Sequence, residues 1–336
     1  MKDSSIRTTM LWLIRDTFRQ SLAQGIFYVL LAISVLSIAV CLSISVSGRD
    51  TLWQGDESPD FVSRKEDISK EHERLKSAGV IVADGKLTLA FGAVDVPLAR
   101  DTREGVHFIE LILAGGVADT LGLMLTLIWT AGFLPSFLEG RNICVLLAKP
   151  APRWVLILGK YLGVLSFVFA QSMLFVFGTW AAIGLRTGFW DPTYLLCVPL
   201  LLLHFSIFFG FSVLLAVCTG NTVVCVFGSL LFWCIAWSMN FGRHALAMST
   251  DLVSEAMPSS YLTTLVDFGY WILPKPADLS MLLFNSLGAG SHFGKLLDLH
   301  ALEAHGFSMI LSVLSSLAFA ILMLFVSARR FQTTDY

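Results

Sequence analysis

The chain has 336 residues, 55% hydrophobic and 14% charged, with a net charge of -2 and a mean hydropathy of +0.73. An ordinary soluble domain carries about 25% charged residues, so this balance excludes a conventional soluble protein and indicates a polytopic membrane protein. It also leaves no basic face for nucleic acid, and no nucleic-acid partner is expected.

At the N-terminus, Ile6, Met10, Leu13, Ile14 and Phe18 share one helical face, while Arg7, Arg15, Asp16, Arg19 and Gln20 lie on others. This predicts an amphipathic helix on the inner membrane surface, leading into the first span. The first apolar run starts near Ile26, is long and lacks a small-residue cleavage site, so it reads as a retained helix and not a signal peptide. Six runs are long enough to cross about 30 Å of hydrocarbon: approximately Ile26–Val46, Leu111–Phe137, Trp154–Leu185, Tyr194–Val217, Thr222–Phe241 and Phe307–Ser327. Backbone amides in lipid must be satisfied within the segment, so these runs are expected to be helices.

The expected fold class is an all-α polytopic membrane protein, with six transmembrane helices and a small α+β extracytoplasmic domain between helices 1 and 2. Five regions follow. Residues 1–47 hold the amphipathic helix and the first span, and 48–110 the extracytoplasmic domain. Residues 111–241 hold spans 2 to 5, with a charged cytoplasmic segment at 138–154. Residues 242–306 form a second outer loop, and 307–336 the sixth span and a cytoplasmic tail. Orientation follows the basic residues beside the helix ends: Lys2, Arg7, Arg15 and Arg19 before span 1, Arg141, Lys149 and Arg153 between spans 2 and 3, and Arg329 and Arg330 after span 6. All three places fall on one side, which puts both termini in the cytoplasm.

Within 48–110, "KEDISKEHERLKSAG" reads as a short exposed helix stopped at Gly79. "VIVADGKLTLAFG" reads as a hairpin with its turn at Asp84-Gly85. In the second outer loop, a seventh span would bury Glu255 and Asp267, so interfacial helices are expected there, with Tyr270 and Trp271 at headgroup depth.

Several chemistries are absent. No stretch matches Gly-x-x-x-x-Gly-Lys-Ser/Thr, so the chain carries no P-loop of its own, and neither Gly-x-Ser-x-Gly nor His-Glu-x-x-His occurs. The six cysteines lie in or beside apolar runs without a Cys-x-x-Cys pair, and read as small buried residues. No catalytic residue, bound cofactor or metal site is expected, and the spacing of His244, His292, His300 and His305 is irregular for a metal. Arg186 and Asp191 read as interface anchors. Two ionisable residues fall within spans, Asp119 and His204. Such groups are expected to face protein or water, where they bond a neighbouring helix or line a path. Gly159 and Gly163 have the Gly-x-x-x-Gly spacing that permits close helix packing.

The segment "FLEGRNICVLLAKPAPRWVLILGKYLG" sets Glu139, Arg141, Lys149, Arg153 and Lys160 around two prolines, with an apolar centre. That order describes a short helix along the inner face, stiffened at its exit. On charge alone it is also a plain positive-inside turn. The order Glu139, Gly140, Leu146, Leu147, Lys149, Pro150, Arg153, Gly159, Lys160 resembles the cytoplasmic coupling segment of ABC-2 type transporter permeases, and "RDTFRQSLAQGIFYVLL" is similar to that family's N-terminal helix. The resemblance implies a membrane subunit of an exporter in the cell's inner membrane. It implies a dimer with a second permease copy or a paralogue, set in membrane lipid, and driven by a separate ABC ATPase subunit that binds the ATP. Glu139, Gly140, Arg141, Leu146, Leu147, Lys149, Pro150 and Arg153 would then receive the ATPase, and helices 2 and 5 would line the dimer interface. The outer segment 48–110 is longer than the family's minimal pattern. Two alternatives stand beside this reading: a non-transporting envelope assembly module, and a membrane-embedded enzyme that would need Asp119 and His204 paired at one depth.

Overall fold

The computed structural model of the chain describes residues 2–48, 85–89, 94–98, 102–138, 152–252, 260–287 and 308–333. Among these, six helical stretches are long and apolar enough to cross a membrane: Gly25–Ser43, Gly105–Leu138, Arg153–Thr187, Pro192–Thr219, Thr222–Leu246 and Met309–Thr333. They agree with the six apolar runs of the sequence, with different ends.

Helix α1 (Lys2–Leu22) precedes α2 (Gly25–Ser43), the first span. The second span is composite: α3 (Thr102–Leu111), a π-helical segment (Ile112–Gly122), α4 (Leu123–Thr130) and α5 (Phe133–Leu138). The third is α6 (Arg153–Thr187), stopped by Gly188 in the left-handed region at φ 74°. Asp191 then caps a 3-10 turn (Pro192–Leu196), its carboxylate accepting from Thr193 N at 2.9 Å, and α7 (Cys197–Thr219) completes the fourth span. Gly220, at φ 61°, ends α7 in the same way and lets α8 (Thr222–Leu252) return as the fifth. Helices α9 (Ser260–Ile272) and α10 (Pro276–Ser286) are too short to span, and α11 (Met309–Thr333) is the sixth span.

Three strands, β1 (Ser45–Gly48), β2 (Gly85–Leu89) and β3 (Val94–Leu98), form an antiparallel sheet in the order β1-β2-β3. β1 starts directly beyond α2, pairing Ser45 with Thr88. The hairpin was expected to turn at Asp84-Gly85. Instead Gly85 is a β2 residue, paired with both Gly48 and Leu98, and the hairpin partner of β2 is the following strand. These strands alone do not amount to the α+β domain expected over 48–110, whose helix at "KEDISKEHERLKSAG" lies outside the described residues.

One end of the bundle carries α1 and the last turn of α11; the other carries the sheet. At the first end, α1 packs along the start of α6. Leu13, Thr17 and Ser21 are its buried line. The predicted apolar face was thus nearly right, but two small hydroxyl residues complete it. A side chain at Gly159 would meet Leu13 Cδ1 at 2.5 Å, and one at Gly163 would meet Thr17 Oγ1 at 2.7 Å and Ile14 Cα at 3.3 Å. The glycine pair is therefore a seat for α1. Phe18 and Phe27 close the contact edge-on against Phe167, with centroids at 5.1 and 5.6 Å. Lys160, buried in the seat, donates to Gln20 Oε1 (2.7 Å) and Asp16 Oδ2 (3.3 Å), while Gln20 Nε2 donates to Ser136 Oγ in α5 (2.9 Å).

Of the cysteines, Cys41, Cys197 and Cys225 are buried as expected, whereas Cys218 and Cys234 are exposed, and all five are free thiols. Cys144 lies outside the described residues.

Because Ile14 Cα beside Gly163 is backbone and cannot swing away, Gly163→Leu must push α1 off α6. Overpacking of this kind costs about 1–3 kcal/mol. The expected outcome is a lowered melting temperature of the detergent-solubilised protein, with Gly116→Ala, at a position where a Cβ meets nothing within 4 Å, as the unaffected control.

Candidate functional site

The second outer loop was expected to hold interfacial helices. Among the described residues it holds α9 and α10, and α10 does not lie on a surface. It packs against the π segment and against α7, α8 and α11. Tyr270, expected at headgroup depth, is only 4% exposed, because its hydroxyl reaches the buried carboxylate of Asp278. Trp271 is half exposed, in keeping with an interfacial position, and Asp267 is exposed and paired with Arg243 at 3.1 Å.

A helix buried at its N-terminus must find partners for backbone N–H groups that have none within the helix. Pro274 and Pro276 have no N–H to satisfy. Lys275 N donates to Ser316 Oγ of α11 (3.1 Å), and Asp278 N donates to Asn240 Oδ1 of α8 (3.1 Å). The carboxylate of Asp278 points the same way. Its Oδ1 accepts from Asn240 Nδ2 and faces His244 Nε2, both at 2.8 Å, and its Oδ2 accepts from Tyr270 OH (2.8 Å) and Ser312 Oγ. Burial pushes the Asp278 carboxyl up, but the bonds from His244, Ser312 and Asn240 outweigh it and hold the group below the usual carboxylate range. Lys275 is fully buried, donating Nζ to Ser315 Oγ (2.6 Å) over the faces of Tyr270 and Trp271. Burial lowers its pKa to about 8; Asp278 draws it back up in part, and Arg243 pushes it down.

One turn along α10, Ser280 Oγ donates to Asp119 Oδ2 of the π segment, and His204 Nδ1 of α7 lies 2.6 Å from Asp119 Oδ1. All of Asp119 and His204 is buried, and His204 Nε2 has no hydrogen-bond partner among the described residues. The two intramembrane residues singled out by sequence are therefore brought together across spans 2 and 4. Neither lines the open cleft of about 580 Å³ between spans 1 to 4, whose polar lining is Ser34, Thr126, Gln171 and Ser172.

Asp119 is a buried residue of the π segment. Thr120 Oγ1 bonds the carbonyl of Gly115, five residues back, at 3.0 Å. Gly115 leaves room for the ring of Phe284 in α10, which would have to shift if a Cβ were added there. Sequence reasoning missed Lys275, Asp278, Ser280 and Asn240. The signal was present in "PKPADLS", where a carboxylate sits at the third position of a proline-started helix, inside an otherwise apolar stretch.

Of the coupling residues, Glu139, Gly140, Arg141, Leu146, Leu147, Lys149 and Pro150 lie outside the described residues. Arg153 is described. Its guanidinium Nη1 donates to the carbonyls of Phe331 (3.4 Å) and Gln332 (3.3 Å), closing the last turn of α11.

Residues 11–336 match the family described as ABC-2 family transporter protein. Comparison with curated proteins returned no match.

Two outcomes test the site. Interhelical polar contacts in membranes average about 0.6 kcal/mol, but a buried carboxylate–imidazole contact is charge-assisted. A double-mutant cycle of Asp119→Ala and His204→Ala, read by unfolding in mixed micelles, is expected to give a coupling of about 1–2 kcal/mol. The second outcome concerns pH. Between about 8 and the ordinary lysine value of 10.5, the unfolded chain holds a proton at Lys275 that the folded chain has lost. The unfolded state binds more protons in that window, so stability rises with pH there. Below 8 both states are protonated and the contribution is flat. Melting temperature measured from pH 7 to 10 should therefore rise more in wild type than in Lys275→Met.

Proposed function

Because the chain belongs to the ABC-2 family of transporter proteins, we propose that it is the membrane-spanning subunit of an ABC exporter, driven by a separate ATPase that docks on residues 138–154. A multi-pass membrane subunit follows from the family and the six spans together.

The observation that carries it is the bracing around that segment. The chain enters it from α5, which is tied through Ser136 to Gln20, and leaves it through Arg153, which is tied to the end of α11. Lys160, two turns further on, is bonded back to Asp16 and Gln20 of α1. Force applied between residues 138 and 154 would thus enter spans 2, 3 and 6 and α1 together. Two prolines at the exit reduce the slack. The basic residues Arg15, Arg19, Arg153, Lys160, Arg329 and Arg330 collect at this end of the bundle, which supports placing it, and both termini, in the cytoplasm. The site is the inner membrane of the cell, and ATP is bound by the partner and not by this chain.

The exposed faces support the remaining partners. Phe108 and Ile112 on span 2, and Val223, Phe227, Leu231 and Ile235 on span 5, form apolar stripes at helical spacing. These suit a second permease copy or a paralogue, with lipid against the exposed side chains of spans 1 and 6. The segment 48–110 is read as an extracytoplasmic α+β domain built on β1 to β3. Asp119 and His204 meet the pairing that a membrane-embedded enzyme would need. Their full burial, away from the cleft, favours a role in holding spans 2 and 4 together.

Co-expression with the ATPase subunit tests the docking. Glu139→Lys combined with Arg153→Glu is expected to cut co-purification and permease-stimulated hydrolysis roughly tenfold or more, the loss of two or more charge-assisted contacts. Ile321→Leu, on the exposed lipid-facing side of span 6, should leave both intact. Full assembly in the doubly changed protein would refute the docking segment. Stimulated hydrolysis without solute movement in proteoliposomes would instead favour the assembly module.

A further inference from the structure

A third polar cluster lies at the sheet end, apart from the α10 network. His107 and Glu110 are one turn apart on α3, and Asp191 caps the turn between spans 3 and 4. All three are buried, Glu110 to 1% exposure. His107 Nδ1 lies 3.2 Å from Glu110 Oε2 and 3.4 Å from Asp191 Oδ2, and the three donor atoms fall within 4.8 Å of one another. Glu110 Oε2 has no hydrogen-bond partner among the described residues, although it points into this cluster.

We propose that His107, Glu110 and Asp191 hold a divalent transition-metal ion, with zinc the preferred occupant. Two carboxylates and one imidazole meet here out of contact with water, and if both carboxylates are ionised they need a compensating positive charge. An uncompensated buried charge of that kind costs several kcal/mol. Among the described residues no lysine or arginine is paired with either carboxylate, and Arg186 Nε donates to the carbonyl of Ile44 at 3.3 Å. A dication would compensate both carboxylates.

The spacing fits as well. Metal–nitrogen and metal–oxygen bonds of about 2.0–2.1 Å in a tetrahedral site put ligand atoms about 3.3–3.4 Å apart. The two separations from His107 Nδ1, 3.2 and 3.4 Å, bracket that value, and all three donor atoms lie within 4.8 Å of one another. His107 Nδ1 carries at most one proton to share between the two carboxylates, so a hydrogen bond to one leaves the other facing the same centre. A set of one nitrogen and two oxygens, without thiolate, suits zinc among the divalent ions with imidazole affinity.

The surroundings orient the ligands in the way metal sites require. Asp191 is fixed by Thr193 N (2.9 Å) and Thr193 Oγ1 (2.6 Å), and its carbonyl takes Trp180 Nε1 (2.8 Å). The ring of Phe189 stands edge-on to His107, with centroids 5.3 Å apart. Three protein ligands leave a further position for water. The ion would pin the start of span 2 to the turn between spans 3 and 4, beside the point where Arg186 holds the exit of span 1.

The test uses the full chain in detergent, stripped with a chelator and titrated with zinc against a chromogenic competitor. One ion per chain is expected at micromolar zinc or below, with a rise in melting temperature and an X-ray absorption spectrum of nitrogen and oxygen ligands containing a single imidazole. Glu110→Gln and Asp191→Asn should each weaken binding roughly tenfold or more. Asp119→Asn should bind as wild type does. If Glu110→Gln misfolds, Asp191→Asn and His107→Gln carry the comparison. Binding that survives these substitutions, with a spectrum of several imidazoles, would assign the ion to His292, His300 and His305 and overturn the proposal. So would a wild type that takes up no zinc, together with a Glu110→Gln protein that melts at or above it. That result would mean a shared proton balances the two carboxylates.

Discussion

A helix of eleven residues is about 16 Å long, half the thickness of the hydrocarbon layer. α10 nevertheless sits among four spans, and the requirement that its backbone be satisfied there organises the sheet end of the bundle. In lipid, irregular backbone is tolerated only where protein supplies the missing hydrogen bonds. Here Ser316 and Asn240, from two different spans, take the amides of Lys275 and Asp278. Asp278 then collects four side-chain partners, and Lys275 closes over Ser315 and two aromatic rings. Removing Ser316 or Asn240 takes the acceptor from a buried backbone amide, whereas Asp278 keeps three side-chain partners after the loss of any one. The orphaned amide makes the network costly to break at those two residues even though each bond is modest in net terms.

The same helix fixes the conformation of span 2. A π-helix usually persists for a single turn, because its hydrogen-bond geometry is poor. Eleven residues of it, Ile112–Gly122, need outside support. α10 gives that support at two points on one face. Phe284 fills the space left by Gly115, and Ser280 holds Asp119 from one side while His204 holds it from the other. Asp119 is thus less a lone charge in lipid than the pin that keeps the widened turn in place.

Hydropathy and basic-residue placement made the spans legible, because both depend on local composition that any window of the sequence exposes. Close packing at Gly159 and Gly163 was legible for a related reason, since they stand four residues apart, but that α1 is the helix they seat was not. The completion of the α1 face by Thr17 and Ser21 was less visible, since small hydroxyl residues register as polar although Thr17 bonds its own helix at Leu13. The Asp119–His204 pairing entered only as what a membrane-embedded enzyme would need, and the other polar contacts that join distant parts of the chain escaped. Asp119 meets His204 across 85 residues and Ser280 across 161. A search one turn away on the same helix cannot see such a partner. Tyr270 was misplaced because an aromatic residue near a span's end ordinarily marks the interface, and only the buried acceptor at Asp278 reverses that preference. The π segment had no signal except its glycines, which are equally at home in an ordinary close-packed helix.

The two ends of the bundle are braced by different physics, and this decides where it can yield. At the end bearing the termini, α1, α5, α6 and α11 are joined by charged side chains at Lys160 and Arg153 and by close packing onto glycine. At the sheet end, buried polar bonds lock α7, α8, α10 and α11. Span 2 connects the two and is the least regular element between them. It passes from α to π at Ile112, back to α at Leu123, and breaks again at Ala131 and Gly132. Loss of one residue from a π turn rotates everything beyond it by about 100°. A load entering α5 from the segment before Arg153 would meet rigid neighbours on both sides and a soft element ahead of it. Any rotation of that element must carry Asp119 away from both His204 and Ser280. For such a load, the contacts of Asp119 with His204 and Ser280 would be part of what a push on span 2 has to overcome.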